Sequence, residues 1–383
     1  MNIVEVRAVE IDLYPKPTTK PRPVQPRYSG MNQPLDRYDP ERRLKQPPWH
    51  RAACLITAAD GSFGFGLTPF SGPLLSLIND QFGPALIGQN CMATEKLYDM
   101  MLRMTAGYGG AGLASYALSA IDTALWDLKG KVLQRPVYEL LGGPQKEKIF
   151  CYATGHDTEW YMELGFKATK VFTQGGADAG LDGLKINEDL VAHTRELVGP
   201  DVELMLDCWL SMDVEHTVRL AEKVRPYKLK WIEDYLRFDD IEGYAEVRKR
   251  LPWQTLASGE HWYGPATFAN VMKRDLVDIL QPDVLWAGGI TPCVKICHMA
   301  EAMGKSVITH GGMNYPYAQH LAFAMPAIVW GERSQDVSPP GVPLQEMVEI
   351  PGTAVIENGY LVPSDAPGFG MEITKEWVEG VMV

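Results

Sequence analysis

Six short apolar runs, each ending in a polar or charged residue, recur at nearly constant intervals through the second half of the chain. The intervals between the end residues are 26, 27, 23, 27 and 22 positions. Each interval has room for one strand, one helix and two loops, which is the repeat of a (β/α)8-type barrel. The end residues are, in order, Asp207, Glu233, Glu260, Asp283, His310 and Glu332. The carboxyl ends of parallel barrel strands share one mouth, so the pattern predicts an α/β barrel with these six side chains gathered there.

The chain has 383 residues, more than one compact core usually holds, so a second domain is expected beside the barrel. Before the repeats, an alternating strand, a long Pro- and Arg-rich connection and a hairpin around Asp60-Gly61 precede a helical region. This order predicts an N-terminal α+β domain at 1–145, a barrel domain at 146–350 and a C-terminal segment at 351–383 that returns to the first domain. The Gly-rich span 173–186 is expected to be a loop on the catalytic face.

Composition argues against several classes of partner. The net charge is −12, and an acidic surface disfavours binding to nucleic acid or to an anionic membrane. The N-terminus lacks the basic and apolar regions of a secretory signal, and no apolar run approaches the ~18 residues of a membrane span. The six cysteines are scattered, as buried free thiols are in a reducing compartment. We therefore expect a cytoplasmic protein, in which an anionic ligand would need a bound cation to reverse the local field.

Three successive strand ends carry carboxylates, namely Asp207, Glu233 and Glu260. Neighbouring strands lie ~4.8 Å apart, so these side chains can converge on one point, where they cannot all stay ionised without a cation. Oxygen ligands without a thiolate or an imidazole favour Mg²⁺. Asp234 follows Glu233 directly, and the side chains of a strand alternate, so only one of the two is expected to point into the mouth. Glu233 is favoured because it is in phase with Trp231.

Two later strand ends form a candidate acid–base pair. Asp283 and His310 are expected on adjacent strands, and a histidine held by a carboxylate is an oriented general base. Glu332 ends the next strand. It is expected to donate a hydrogen bond to a developing oxyanion if its carboxyl is protonated, or to orient a ligand if it is ionised.

Four basic or aromatic side chains are candidates for contacts with a substrate. Lys170 ends an earlier strand, where its ammonium could contact a carboxylate or stabilise negative charge. His261 follows Glu260 and is expected to form a polar wall of the site. His50 and Arg51 lie where the long N-terminal connection enters the hairpin, from which they could reach over the mouth and bind a polyol.

At this point the sequence resembles the enolase superfamily, mandelate racemase subgroup, and within it the acid-sugar dehydratases of the L-rhamnonate type. The motifs that carry the resemblance, in this order and spacing, are LMLDCW, KWIED, SGEH, ILQPD and ITHGG. The resemblance implies a modified (β/α)7β TIM-type barrel with an N-terminal α+β capping domain, whose loops at roughly 15–50 would set selectivity. The roles that it implies are three Mg²⁺ ligands, a catalytic dyad and an electrophilic partner of an enolate: Asp207, Glu233 and Glu260; Asp283 and His310; and Glu332.

The resemblance implies a lyase that acts on a small-molecule acid sugar, removing the C2 proton and the C3 hydroxyl to give a 2-keto-3-deoxy sugar acid. It also implies a homo-oligomer, either a tetramer or an octamer. Many relatives end the second barrel strand with Lys-x-Lys, and the second lysine acts as a base on the opposite face. Here the tripeptide is Lys170-Val171-Phe172, so a two-base racemisation is disfavoured and a one-base dehydration stays open. The alternatives are an epimerase or cycloisomerase of an acid sugar, and a family member without turnover.

Overall fold

The N-terminal part of the fold is built on a three-stranded antiparallel sheet. The structure, a computed structural model, describes residues 1–24, 26–38, 48–334 and 337–383. The strands are β1 (Ile3–Ile11), β2 (Arg51–Ala58) and β3 (Phe63–Thr68), and they neighbour one another in that order. β2 and β3 form the predicted hairpin. Its turn holds Gly61 at φ 85°, a backbone conformation that glycine adopts without strain.

Helices follow the sheet, as the spacing of apolar residues predicts. They are α1 (Ser71–Ser76), α2 (Gly83–Leu86), α3 (Thr94–Met104), α4 (Leu113–Leu133) and α5 (Val137–Leu140), with a π-helical segment at Leu77–Phe82. The long helix α4 lies directly against β3. Glycine is required at this contact, because a Cβ atom on Gly64 would lie 2.0 Å from the carbonyl oxygen of Ala124, and one on Gly66 would lie 1.9 Å from that of Ala120. Sheet and helices together form the predicted cap.

Strands and helices then alternate through the second part of the chain. The strands are β4 (Ile149–Thr154), β5 (Ala168–Phe172), β6 (Glu203–Asp207), β7 (Ile232–Glu233), β8 (Leu256–Ser258), β9 (Ile279–Leu280), β10 (Ser306–Val307) and β11 (Gly331–Arg333). The helices between them are α6 (Thr158–Glu163), α7 (Gly180–Val198), α8 (Val214–Val224), α9 (Ile241–Arg250), α10 (Gly264–Lys273), α11 (Ile290–Ala302) and α12 (Pro316–Ala324). Within residues 149–333, all of which the structure describes, eight strands with seven intervening α-helices form the predicted (β/α)7β arrangement.

The parallel sheet curls until its two ends meet at the eighth strand. β4 to β10 neighbour one another in chain order, and β11 pairs in parallel with β4. On its other side, the segment that leads into β11 pairs with β10 through a bridge between Val307 and Ile328. The strands contribute a cluster of buried large and small side chains: Tyr152, Ala168, Met205, Trp231, Ala257, Ile279 and Ile308. The barrel is therefore a packed core, and a site can form only at its ends.

The Gly-rich span after β5 is not a loop over its whole length, as the sequence had suggested. Helix α7 begins at Gly180, so the second half of the span 173–186 is helical. Leu184 is buried in this first part of the helix, and Asn187 accepts hydrogen bonds from the backbone N–H groups of Gln174 and Gly175. The loop prediction was wrong from Gly180 onward. Glycine has a low helix propensity, but burial of apolar side chains of this segment in the tertiary structure outweighs it.

The C-terminal segment runs back to the N-terminal sheet. It contains β12 (Tyr360–Leu361), which pairs antiparallel with β4, and α13 (Lys375–Val381). The backbone N–H of Asp12 donates to the carbonyl oxygen of Val381 at 2.9 Å, beside a bridge between Ile11 and Met382. The domain boundaries at 145/146 and 350/351 stay predictions.

In the described part of the chain no helix is long and apolar enough to cross a bilayer, and all six cysteines are buried free thiols.

Candidate active site at the barrel mouth

The six predicted strand-end residues lie at one end of the barrel. Asp207 and Glu233 are the last residues of their strands, Glu260, Asp283 and His310 follow theirs by two or three positions, and Glu332 lies within β11. A cavity of about 650 Å³ opens above them, between the barrel and the cap. Its lining includes eight of the residues singled out from the sequence: His50, Arg51, Lys170, Asp207, Glu260, His261, His310 and Glu332. Glu233 and Asp283 lie just beneath this surface and are buried.

Lys170 lies among three of the carboxylates rather than at the edge of the site. Its Nζ atom is 3.2 Å from Oδ2 of Asp207 and 2.9 Å from Oε1 of Glu332, and it also contacts Oε1 of Glu233. The side chain is only 1% exposed. Burial by itself lowers the pKa of Lys170, but the three carboxylates outweigh that effect and hold the pKa well above its ordinary value. Lys170 is therefore a charged ammonium inside an acidic cluster.

The carboxylate of Glu233 is held from the side opposite Lys170. Its Oε2 atom accepts hydrogen bonds from Nε1 of Trp231 at 2.8 Å and from Nε2 of Gln281 at 2.7 Å. Trp231, the residue before β7, and Glu233 thus lie on the same interior side, as their phase in the sequence indicated. Asp207 is held similarly, with Oδ1 accepting from the backbone N–H of Trp209 at 3.0 Å. Burial raises the pKa of both carboxyls, and Lys170 partly offsets the rise.

Asp283 and His310 form a hydrogen-bonded pair. Nδ1 of His310 is 2.7 Å from Oδ2 of Asp283, whose other oxygen accepts from the backbone N–H of Leu285 at 2.6 Å. Nε2 of His310 is 3.2 Å from Oε2 of Glu260. The ring of Trp286 lies 4.9 Å from the imidazole, which limits its orientation. Burial lowers the pKa of His310, but Glu260 and Asp283 raise it well above its ordinary value.

A second cluster forms around Glu260. Oε1 of Glu260 is 3.0 Å from Nε2 of His261. Among the described residues, one group of carboxylate and imidazole side chains has donor atoms that all lie within 4.8 Å of one another, and it consists of Asp234, Glu260 and His261. Oδ1 of Asp234 accepts from Ser258 at 2.6 Å, whereas Oδ2 is buried without a hydrogen-bond partner. Buried polar atoms usually have a hydrogen-bond partner, so a buried carboxylate oxygen without one is a suitable ligand for a cation.

The expectation that only Glu233 of the two neighbouring acidic residues points into the mouth stays a prediction. Glu233 points to Lys170 and Asp234 points to the group around Glu260, and both are buried. Strand alternation stops at Glu233, the last residue of β7, and Asp234 turns into the left-handed region at φ 44°. Only the acidic pair itself was visible in the sequence; the backbone turn at Asp234 was not.

Glu332 is held as a carboxylate by three partners. Its Oε1 atom accepts from Oγ1 of Thr154 at 2.6 Å and faces Lys170, and Oε2 accepts from the backbone N–H of Gly311 at 2.8 Å. Burial raises the pKa of Glu332, but Lys170 and His310 lower it further, so that the net shift is downward. Of the two roles considered from the sequence, the geometry favours the ionised one. Thr154 was not singled out from the sequence.

His50 and Arg51 reach the cavity from the cap, at the start of β2. Arg51 forms an ion pair with Glu349, whose Oε2 also accepts from the hydroxyl of Tyr315 at 2.7 Å. Arg51 lines, in addition, a side cavity of about 100 Å³ that adjoins the pair of Asp283 and His310. Within the selectivity segment expected at 15–50, Met31 lines the main cavity, while residues 25 and 39–47 lie outside the described part of the chain.

The donor chemistry of the site suits a hard divalent cation. Buried carboxylate oxygens predominate, and thiolates are absent among the lining residues of the described chain. The predicted ligands Asp207, Glu233 and Glu260 are nevertheless divided: the first two face Lys170, and the third faces the imidazoles. To bind one cation together, their side chains would have to turn away from these partners.

Comparison with known proteins follows the same division into cap and barrel. Residues 53–142 match the family model described as "Mandelate racemase / muconate lactonizing enzyme, N-terminal domain", and residues 156–377 match "Enolase C-terminal domain-like". An α+β cap on a (β/α)7β barrel with acidic strand ends defines the class as an enolase-type barrel. The chain belongs to the enolase superfamily, in its mandelate racemase and muconate lactonizing enzyme family.

Individual relatives agree with this placement. The chain is 37% identical, over 84% of its length and 82% of the relative's, to L-rhamnonate dehydratase from Saccharopolyspora erythraea. It superposes with a TM-score of 0.87 and 28% identity on rhamnonate dehydratase from Gibberella zeae complexed with Mg, covering all of this chain and 96% of that one. The 3,6-anhydro-D-galactonate cycloisomerase from Zobellia galactanivorans matches with a TM-score of 0.79 and 26% identity over the whole of both chains.

Proposed function

We propose that this protein is a Mg²⁺-dependent hydro-lyase that dehydrates an acid sugar, an aldonate of the L-rhamnonate type, to a 2-keto-3-deoxy sugar acid. Two facts support the reaction class: the family of the chain, and its 37% identity to an L-rhamnonate dehydratase. The observation that carries the proposal is the pair of Asp283 and His310. It places an oriented imidazole, with one nitrogen held at 2.7 Å and the other directed to the carboxylate cluster, beside a cavity that can hold a sugar acid.

The proposed metal ligands are Asp207, Glu233 and Glu260. Their oxygen donors fit Mg²⁺, and the orphaned oxygen of Asp234 offers a further donor beside Glu260. When bound, Mg²⁺ would act as a Lewis acid on the substrate carboxylate and make the C2 proton easier to remove. Lys170 would place its ammonium against the same carboxylate, and Glu332, ionised and fixed by Thr154 and Gly311, would orient that ammonium.

His310 is proposed as the base that takes the C2 proton. The electron pair of the C2–H bond moves into the carboxylate, and Asp283 stabilises the imidazolium that forms. The C3–O bond then breaks, and the hydroxyl leaves as water with a proton, which His310 is placed to return. The resulting enol takes up a proton at C3 and loses the proton of its C2 hydroxyl, which gives the 2-keto acid. His50, Arg51 and His261 are the proposed contacts for the remaining hydroxyl groups.

Dehydration is favoured over epimerisation because the opposite side of the cavity has no second base on β5. The residue at that position is Phe172, which lines the cavity and packs edge-on against His156 at 5.9 Å. A two-base inversion at C2 would need an acid there to deliver the proton.

We further propose that the protein is a homo-oligomer, a tetramer or an octamer, which analytical ultracentrifugation would measure.

A screen of aldonic and aldaric acids with Mg²⁺ tests the function. Dehydration gives a ketone that semicarbazide detects, and chelation of the metal should abolish the signal until Mg²⁺ is returned. Parallel NMR of each mixture detects epimers and cyclised products, which contain no new ketone. Turnover to such a product, with no ketone from any acid, would replace dehydration by epimerisation or cycloisomerisation. No turnover of any acid would favour a family member without catalysis.

A further inference from the structure

We propose that Lys170 is a built-in counter-ion of the carboxylate site, and that its ammonium competes with the divalent cation for the same oxygens of Asp207 and Glu233. The inference rests on the proposed function in one respect, namely that Mg²⁺ binds these two residues. The inference goes further by giving Lys170 a role in the absence of substrate. Lys170 stabilises the folded protein against the repulsion of its buried carboxylates, and it sets the affinity of the site for the cation.

The hydrogen bonds of the two carboxylates divide their oxygens into two sets. Oε2 of Glu233 accepts from Trp231 and Gln281, and Oδ1 of Asp207 accepts from the backbone of Trp209. These neutral donors belong to the rigid interior and loop of the barrel. The remaining oxygens, Oε1 of Glu233 and Oδ2 of Asp207, both face Nζ of Lys170. Oε2 of Glu233 already accepts two hydrogen bonds, so a cation that binds Glu233 has to take Oε1. On Asp207, Oδ2 is the oxygen whose cited contact is with Lys170 rather than with a neutral donor.

Burial makes this counter-charge necessary. Asp207, Glu233 and Glu332 are at most 4% exposed at their side chains, and Lys170 is 1% exposed. Buried carboxylates without a compensating charge destabilise a fold strongly, and removal of one partner from a buried ion pair costs far more than removal from an exposed pair. Lys170 contacts all three, so it alone supplies most of the compensation within the described part of the cluster.

The same charge opposes the binding of a cation. An ammonium and a Mg²⁺ ion within a few ångströms repel each other, and the low effective dielectric of a buried site screens this repulsion only weakly. Lys170 can nevertheless remain in the site, because Oε1 of Glu332 offers it a carboxylate that is not among the proposed ligands. The expected response to the cation is therefore a shift of the ammonium toward Glu332, with loss of its contacts to Asp207 and Glu233.

The proposal predicts opposite effects of one substitution on two measured quantities. Lys170→Met removes the charge and keeps most of the side-chain volume. In chelator-treated full-length protein it should lower Tm by several degrees, because the carboxylates lose their counter-charge. Isothermal titration calorimetry with Mg²⁺ should show a Kd about tenfold lower than for the wild type, because the competitor is gone. The shift in Tm that Mg²⁺ produces should grow accordingly.

Lys131→Met is the matched control. Lys131 pairs with the buried Asp127 at 2.6 Å, so its substitution also removes one ammonium from a buried carboxylate. This pair lies in cap helix α4 and does not line the cavity. The control should lower Tm in the absence of the metal and leave the Kd for Mg²⁺ unchanged.

If the wild type binds Mg²⁺ and the Kd of Lys170→Met is equal to or higher than that of the wild type, the inference is overturned. The proposed metal site is then unaffected. Absence of Mg²⁺ binding in the wild type refutes the metal site itself, and the inference falls with it. If Lys170→Met does not fold without metal, expression and refolding with Mg²⁺, together with the milder Lys170→Gln, decide the matter. The cation should rescue both variants, and failure to rescue either one also overturns the inference.

Discussion

Asp122 of cap helix α4 accepts two hydrogen bonds from Thr291, the second residue of barrel helix α11. The backbone N–H of Thr291 donates to Oδ2 at 2.9 Å, and its hydroxyl donates to Oδ1 at 2.6 Å. Nε1 of Trp126 donates to the same hydroxyl at 2.9 Å, and the backbone N–H of Gly288 donates to Ser119 at 2.8 Å. Side chains of the cap thus fix the loop from β9 to α11, which contains Asp283 of the proposed dyad.

This contact predicts a pH-dependent part of the stability. Burial raises the pKa of Asp122 to about 7, against the hydrogen bonds from Thr291 that lower it. The folded state therefore binds this proton more tightly than the unfolded chain, where the pKa is about 3.9, so Asp122 reduces the free energy of unfolding as pH rises from about 4 to about 7. Asp122→Asn should remove this loss, and urea unfolding at pH 5 and pH 8 measures it.

Between pH 5 and pH 8 the wild type should lose on the order of 2–4 kcal/mol of unfolding free energy relative to Asp122→Asn. Asp99→Asn, which changes an exposed ion pair with Arg103 on α3, is the control. The change in its unfolding free energy between the two pH values should match that of the wild type to within a few tenths of a kcal/mol. Equal differences at both pH values for Asp122→Asn would mean that the carboxyl titrates normally.

Replacement of the proposed base should abolish turnover. His310→Asn keeps a hydrogen-bonding group near Asp283 but cannot take a proton, so kcat is expected to fall by at least about 10³-fold. His298→Asn, an exposed change on α11, is the matched control and should keep the full rate. The assignment fails if His310→Asn, with wild-type Mg²⁺ affinity and far-UV circular dichroism, retains the wild-type kcat.

A pair of neighbouring substitutions tests the ligand set. Glu233→Gln should weaken Mg²⁺ binding by about 100-fold or more and abolish turnover, because the ligand loses its charge. Asp234→Asn should weaken binding less, because Asp234 is proposed only as a further donor. Isothermal titration calorimetry on both variants compares them. If Asp234→Asn has the larger effect, the cation binds instead at the group of Asp234, Glu260 and His261.

The ion pair between Arg51 and Glu349 should affect binding of the substrate more than chemistry. Arg51→Lys keeps the charge but cannot hold both Glu349 and a ligand in the planar geometry of a guanidinium, so KM should rise about tenfold with kcat within about twofold. Steady-state kinetics on the acid identified by the screen measures both constants. Lys295→Arg, a change in an exposed ion pair on α11, is the control. A large fall in kcat with KM unchanged would place Arg51 in the chemical step.

Periodic features of the sequence predicted the barrel, the N-terminal α+β domain and the strand-end residues, and the family resemblance implied that this domain caps the barrel. Apolar runs that end in Asp207 or His310 are local patterns, and the rule that parallel strands share one mouth brings such ends together whatever the details of packing. The fold is confirmed by the pairing of the strands. The Gly-rich start of α7 was missed because propensity favoured a loop, and the burial of Leu184 decided otherwise.

The sequence by itself determined which chemical groups stand at the barrel mouth, because strand periodicity and spacing are written in adjacent residues. Only the tertiary structure decided how those groups share their charges: Lys170 among three carboxylates, Asp234 turned toward Glu260, and Arg51 tied to Glu349. These contacts join residues that are far apart along the chain or follow a backbone turn at positive φ. They depend on burial and on competing partners, which no local pattern of residues encodes.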